Sequence, residues 1–305
     1  MNKKKLVFWK RPTGDPVIDN FSRNPEYHEF FRQCNEVFEF RIVNNRENYI
    51  GNGVFKNVCL YKDGRISQTA EEFKTDVIYQ FKKLTDETFD NAVPVVNTLA
   101  FKSWCGDKWN QYQLLSEFMS KTFLIEKEED LLNYLPQITT DKAVIKPRSG
   151  QKGDDVVVFD KKFPAKLNLE ILKKKGYLLQ EFSDTNVNIP NVVSGTHDIK
   201  LITIDDSVFA NLRTPDVKDS DVCTYDSPYT EIDIHKLPET VLAFHKQVKE
   251  KVNQEFPGQL YTVDIGITEK GPIIFELNNH TAFPYIHFDY AQDFFKALIK
   301  HLQLM

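Results

Sequence analysis

The sequence predicts an α/β protein of two or three packed lobes, and three observations predict it. The chain has 305 residues, more than one hydrophobic core usually organises. Short apolar runs of strand length alternate with stretches of helical periodicity along the whole chain. Several of the strand-like runs come as hairpin pairs, the clearest being YTVDIGITEKGPIIFELNN.

Composition narrows the function classes. Hydrophobic residues make up 41% of the chain, enough for sizeable cores in an ordinary globular protein. A formal net charge of −5 argues against a general nucleic-acid binder. Cys34, Cys59, Cys105 and Cys223 have no metal-like spacing, so neither zinc nor a disulfide framework is expected. The basic start MNKKKLVFWKRP lacks the apolar core of a signal peptide, and no run approaches the roughly 20 apolar residues of a membrane span. A cytoplasmic protein with free thiols, and with no membrane or nucleic-acid partner, is the expectation. A homodimer is only a general prior.

Taken in order, residues 1–95 mix apolar runs (LVFW, VFEFRIV, NVCLY, VPVV) with the helix-like stretch EEFKTDVIYQFKKL, which reads as an α/β lobe. Asp15, Asn20 and Arg41 receive no role. A helix is predicted from about Asp107 to Ser120, with Trp109, Tyr112, Leu115 and Met119 at helical spacing and Asp107 as its N-cap. KAVIKPRSGQKGDDVVVF reads as strand, polar loop, strand, and YLLQEF as a further strand. HDIKLITI and SVFANLR form two strands joined through Asp205 and Asp206. The polar stretch from Asp216 to Tyr229 is either a lid over a site or ordinary surface. Pro238 opens a helix through LAFHKQVKEKV, and the last fifteen or so residues are helical.

The chemistry is densest in the last hairpin. A three-residue turn, Glu269-Lys270-Gly271, places Asp264 opposite Glu276, with Asn278 on the same face. Opposed like charges repel across a strand pair, and a hard divalent cation removes that conflict; two carboxylates and an amide oxygen suit Mg²⁺, with Mn²⁺ as the alternative. A solvated polar face is the plain reading of the same pattern. Lys146 ends the apolar run Ala143-Val144-Ile145, where an ammonium needs an anion. The loop after it carries Gly150 and Gly153, whose backbone can approach phosphate oxygens, with Arg148 and Lys152 adding positive charge; it is equally a loop of ordinary turns, and no Walker motif is present. Across the preceding strand pair a two-residue turn puts Arg213 on the face of Asp198 and Lys200, where it serves either a phosphoryl group in transit or a surface ion pair.

In order, DKWNQYQLLSEF, AVIKPRSGQKGDDVVV, YLLQEF, HDIK, ANLR and VDIGITEKGPIIFELN resemble the ATP-grasp superfamily of carboxylate–amine ligases over roughly Lys108 to Asn279. The likeness is nearest to the branch of ribosomal-protein glutamate ligase and glutathione synthetase. It implies an ATP-grasp fold with an N-terminal α/β domain at 1–105, a central lobe at 106–183 and a C-terminal lobe at 184–305, ATP lying between the last two. It further implies that Lys108 and Lys146, with the loop of Gly150 and Gly153, hold ATP. Gln180, Glu181 and Phe182 would contact adenine, and Asp184 or Asn186 would sit near the ribose. Lys200 and Arg213 would line the phosphoryl-transfer region, and Asp264, Glu276 and Asn278 would bind magnesium.

The implied reaction is amide or peptide bond formation through an acyl phosphate, with small-molecule or peptide carboxylate and amine substrates. Two departures stand out. Asp154 and Asp155 bring acid to the phosphate loop, and NHTAFPY replaces the small-residue ending common in the glutamate-ligase branch, so substrate identity does not transfer. A kinase-like phosphotransferase and a non-catalytic ATP-binding protein are the rival readings. Cys105 and Cys223 are expected to pack rather than to react, and His280 either packs or touches the acceptor.

Overall fold

The computed structural model describes residues 3–10, 24–81, 92–150, 156–162, 176–215, 220–223, 227, 229–280 and 282–305. The first lobe runs β1 (Lys5–Trp9), α1 (Pro25–Val37), β2 (Glu39–Val43), β3 (Tyr49–Gly51), β4 (Val54–Lys56), β5 (Cys59–Lys62), β6 (Arg65–Gln68), β7 (Glu72–Lys74), β8 (Val77–Gln80) and β9 (Val95–Val96). Its main sheet has the order β6-β5-β2-β1-β8-β9, and β2, β1, β8 and β9 are parallel. The helix-like reading of EEFKTDVIYQFKKL is overturned, because its described part folds as β7 and β8. All four residues of β8 are buried, so neither face shows the polar alternation of a half-exposed strand and a spurious helical period results. Conversely, α1 carries the helix signals, with Asn24 capping through its side chain and Pro25 in the first turn.

α2 (Leu99–Cys105) and α3 (Lys108–Leu115) follow, and Asp107 caps α3 by accepting from Trp109 N at 3.0 Å. The helix is shorter than predicted: a 3₁₀ turn takes over at Ser116–Phe118, and Met119 bridges to Ile274. The middle sheet, in the order β10-β13-β11-β12, contains β10 (Thr122–Ile125), β11 (Lys142–Pro147), β12 (Val157–Asp160) and β13 (Tyr177–Glu181). One face packs under α4 (Glu128–Tyr134) through Ala143, Ile145, Leu179 and Leu131. Lys146, Val144, Leu178 and Gln180 share the opposite face.

After a small hairpin, β14 (Val187–Ile189) and β15 (Val193–Gly195), comes the sheet that organises the chemistry. It contains β16 (Asp198–Ile204), β17 (Ser207–Arg213), β18 (Tyr229–Ile232), β19 (Tyr261–Thr268) and β20 (Gly271–Asn278), in the order β18-β17-β16-β19-β20. Ile199, Leu201, Leu212, Val263, Ile265, Ile274 and Leu277 bury one face against α5 (Glu239–Glu255) and against Phe101 and Leu115 of α2 and α3. On the other face Ile202, Ile204 and Phe209 join α1 and α6 (Ala291–Leu304) in the core of the first lobe. The polar half of that same face is the candidate site.

Two stability predictions arise here. The Phe275 ring and Thr185 lie over Gly266, where an added Cβ would come within 2.5 Å and 2.6 Å of them. Gly266→Ala is therefore expected to cost about 1–3 kcal/mol in urea unfolding, through overpacking. His245 of α5 is buried against Thr203 Oγ1 at 2.9 Å, and burial pushes its imidazole down to about 4. A depressed histidine favours the fold above its unfolded value, and that contribution drains away as pH falls from about 6.5 towards 4. The lost stability is about 3 kcal/mol, and urea midpoints across that window should flatten in His245→Gln.

Candidate active site

A cross-strand row assembles the site. Register places Asn211 opposite Lys200, Lys200 opposite Asp264 and Asp264 opposite Glu276, while Asp198 faces Arg213 and Arg213 faces Tyr229. All six residues predicted from the two hairpins, Asp198, Lys200, Arg213, Asp264, Glu276 and Asn278, therefore share one face. The turn of the second hairpin differs from expectation. Thr268 pairs with Gly271, so Glu269 and Lys270 form a two-residue turn, and that register alone would set Phe275 against Asp264. A β-bulge at Phe275 shifts the register by one and restores Glu276 to the site. The carbonyl of the bulged residue accepts from Lys146 Nζ at 3.2 Å, tying the inner face of the middle sheet to this one.

The charges interlock. Asp264, almost fully buried, takes Lys200 Nζ at 2.5 Å and Arg213 at 3.2 Å. Arg213 also pairs with Asp198. Burial would lower the Arg213 guanidinium, but Asp198 and Asp264 hold it raised. Burial and the neighbouring Asp264 push the Asp198 carboxyl up, against the pull of Arg213 and Lys200. For Glu276 burial pushes upward, and Lys108, Lys146 and Lys200 together win and hold it below its ordinary range. The Lys146 amine is pushed down to about 8, chiefly by burial and further by Lys108, with Glu276 opposing.

Lys108 stands on the first turn of α3, 3.3 Å from Glu276, and donates to Gly150 O at 2.9 Å. Its placement is braced by Asp107, which takes a two-pronged pair from Arg148 at 2.7–2.9 Å. The positive charge that Arg148 adds beside the loop is thus engaged with Asp107. Lys152, Gly153, Asp154 and Asp155 lie outside the described residues, as do 216–219, 224–226 and 228 of the lid candidate.

The adenine and ribose candidates sit at one end of β13. Gln180 turns its side chain inward to Thr122 Oγ1 at 2.8 Å. Glu181 accepts from Thr139 N at 2.8 Å and its hydroxyl at 2.7 Å, Phe182 lies under Lys142 Nζ at 5.2 Å, and Asp184 closes an exposed turn onto Asn186 N. Cys105 is buried with its thiol on Leu277 O at 3.3 Å, as a packing residue would be. His287 stacks on Tyr285.

The donor chemistry fits magnesium. Asn278 Nδ2 lies 3.3 Å from both an Asp264 and a Glu276 oxygen, so three side chains converge; turning the amide over presents its oxygen alongside two hard carboxylates. Among the described residues no group of three His, Cys, Asp or Glu side chains is placed to hold a metal, so a magnesium ion here would need the amide as its third protein ligand.

Residues 105–302, about two thirds of the chain, match the RimK-like ATP-grasp domain. This chain is a member of the RimK-like ATP-grasp family. No curated protein matches its sequence. Solved structures match its fold over nearly the whole length. D-alanyl-alanine synthetase A from Vibrio cholerae O1 biovar eltor is 10% identical, with 100% of this chain and 98% of that one covered and a TM-score of 0.64. A Chryseobacterium gregarium RiPP-associated ATP-grasp ligase, in complex with ADP and a leader and core peptide, is 12% identical over 98% and 96% of the two chains, with a TM-score of 0.63. The ATP-grasp ligase PsnB, complexed with minimal precursor, Mg and ADP, is 14% identical over 98% of each, with a TM-score of 0.60.

On the face of this candidate site in the ATP-grasp chain, sequence reasoning gave no place to Asn211 and Tyr229. Tyr290 OH donates to Asn211 Oδ1 at 2.7 Å, and Asn211 Nδ2 donates to the Tyr229 hydroxyl at 3.0 Å, beside Arg213. The period of two in ANLR already sets Asn211 on the face of Arg213, and that signal was available.

Proposed function

We propose that this RimK-like ATP-grasp protein is an ATP-dependent ligase that joins a carboxylate to an amine, releasing ADP and phosphate. The observation that carries the reading is the single sheet face on which Lys200, Arg213, Asp264, Glu276 and Asn278 meet, with Lys108 and Lys146 brought to it from outside that sheet. A carboxylate resists amines because its leaving group would be oxide, and bound MgATP supplies the phosphoryl group that converts it into an acyl phosphate.

The residues divide the remaining work. Lys108 and Lys146 hold phosphate oxygens, and the small Gly150 at the end of the described loop lets them approach its backbone closely. Asp264, Glu276 and Asn278 hold Mg²⁺. Arg213 and Lys200 neutralise charge on the transferring group and on the oxyanion formed when the amine attacks. Tyr229, oriented by Asn211, adds a hydroxyl at the edge of that face. Gln180, Glu181 and Phe182 frame the base through the end of β13, and Asp184 stands near the ribose. A peptide is the favoured substrate class, supported by the leader and core peptide in complex with the Chryseobacterium ligase.

ADP release from MgATP, measured across pooled amino acids and short peptides, tests the reading. Release that requires both a carboxylate and an amine is expected. Release that needs a single acceptor would replace the ligase with a phosphotransferase, and ATP binding without any turnover would point to a non-catalytic binder.

A further inference from the structure

Among the described residues, Lys102 of α2 is a buried cation without an anion. It is 3% exposed, and within that set its Nζ donates only to Gln80, to the side-chain oxygen and, at 3.4 Å, to the backbone carbonyl. Both acceptors are neutral, and among the described residues Lys102 takes part in no ion pair. Burial accordingly pushes its amine down to about 7. Gln80 is 6% exposed, and its Nε2 is buried with no hydrogen-bond partner among the described residues. An ammonium and an unused amide donor thus lie together, each costly to bury as it stands.

Their location joins them to the site. Gln80 ends β8, at the carboxyl edge of the parallel strands, the edge at which open α/β sheets bind ligands. The chain leaving β20 is fastened there: Asn97 Nδ2 donates to Asn279 O at 2.7 Å, and Asn279 Nδ2 donates to Lys102 O at 3.3 Å. Asn278 turns to Asp264 and Glu276, while its neighbour Asn279 turns to α2. Lys102 therefore lies on the first-lobe side of the same segment that carries a proposed magnesium ligand.

We propose that Lys102 and Gln80 form a carboxylate subsite, which holds the non-reacting carboxylate of an amino-acid or peptide substrate while its reacting group lies at Arg213. The identity of the occupant, though not the anion site itself, rests on the ligase reading. One ammonium beside one neutral amide matches a monoanion, accepting one hydrogen bond from each, better than it matches a doubly charged phosphate. The pair is covered in this structure, so occupancy requires the sheet edge to open, as sites between lobes do.

Calorimetric titration of the whole protein, with Mg²⁺ and ADP present, tests this using L-alanine, L-glutamate and alanyl-alanine, each against its C-terminal amide. The wild type is expected to bind at least one acid 10-fold or more tightly than the amide. Lys102→Met should erase that preference while ADP affinity stays within twofold. Its Tm should rise, because an uncompensated buried amine is gone; a lysine kept for structure alone would lower it. Gln80→Leu provides a second variant and should weaken the acid by a smaller factor. A Lys102→Met protein that keeps the preference, or a wild type that prefers none of the acids, overturns the subsite. Acid binding lost in Lys102→Met alongside no ADP binding by any variant would uphold the subsite and refute the ligase.

Discussion

Glu276→Gln is expected to lower MgATP-dependent turnover by about 10³-fold in a protein that remains folded. Glu276 sits opposite Asp264, with Lys108 at 3.3 Å and Asn278 at 3.3 Å from its carboxylate. The glutamine is nearly isosteric and keeps the packing of β20, so what it removes is charge. Three lysines, Lys108, Lys146 and Lys200, lose their shared counter-ion. The Glu276 side chain is still 29% exposed, so solvent compensates much of that loss and urea unfolding should shift by only about 1 kcal/mol. Chemistry has no such substitute, because the metal would keep Asp264 as its sole carboxylate. ADP should still bind through Lys108 and Lys146, while the extra affinity conferred by Mg²⁺ disappears. Metal titrations of ADP binding read alongside steady-state rates separate the two effects. Turnover within tenfold of the wild type would remove Glu276 from the metal set.

How much of this was legible in the sequence depended on whether the information was local. Period-two alternation in HDIK, ANLR and VDIG fixed which side chains share a face, and the structure keeps every one of those assignments. The opposition of Asp264 and Glu276 was reached through a wrong turn. A two-residue turn and a bulge shift the register by one each and cancel, and no periodicity reveals a bulge that hydrogen bonding alone defines. β8 was misread because a strand buried on both faces loses its alternation, and the three residues of β7 are too few to show a period. That Arg148 spends its charge on Asp107 was not legible, because the partner lies 41 residues away, beyond any local pattern. Lys102 was invisible for the same reason. Its exposure and its lack of an anion are properties of packing between α2 and β8, and a lysine in LAFKSWC reads as the polar side of a helix. The family resemblance succeeded where single segments were ambiguous, since six weak stretches in the right order constrain one another, and the matched region runs from residue 105 to 302.

Arg213→Leu should damage stability and catalysis together, and a second substitution should separate them. The guanidinium bridges Asp198 and Asp264, two carboxylates that are both buried. Removing it leaves one carboxylate raised by burial and by its acidic neighbour, and the other held by Lys200 alone. Breaking a buried charge network from one side costs about 3–5 kcal/mol, and urea unfolding at pH 8 should show a loss in that range. The added substitution Asp198→Asn takes away the stranded charge, so Arg213→Leu/Asp198→Asn should recover most of the stability. Turnover should not recover. Arg213 is one of two cations, with Lys200, assigned to the transferring group, and losing one such donor costs about 10²–10³-fold in kcat. A double variant that regains both properties would make Arg213 a structural counter-ion and leave Lys200 as the sole cation acting on the transferring group from this face. A double variant that regains neither would show that the guanidinium positions β17 and β18 through Tyr229 rather than through charge.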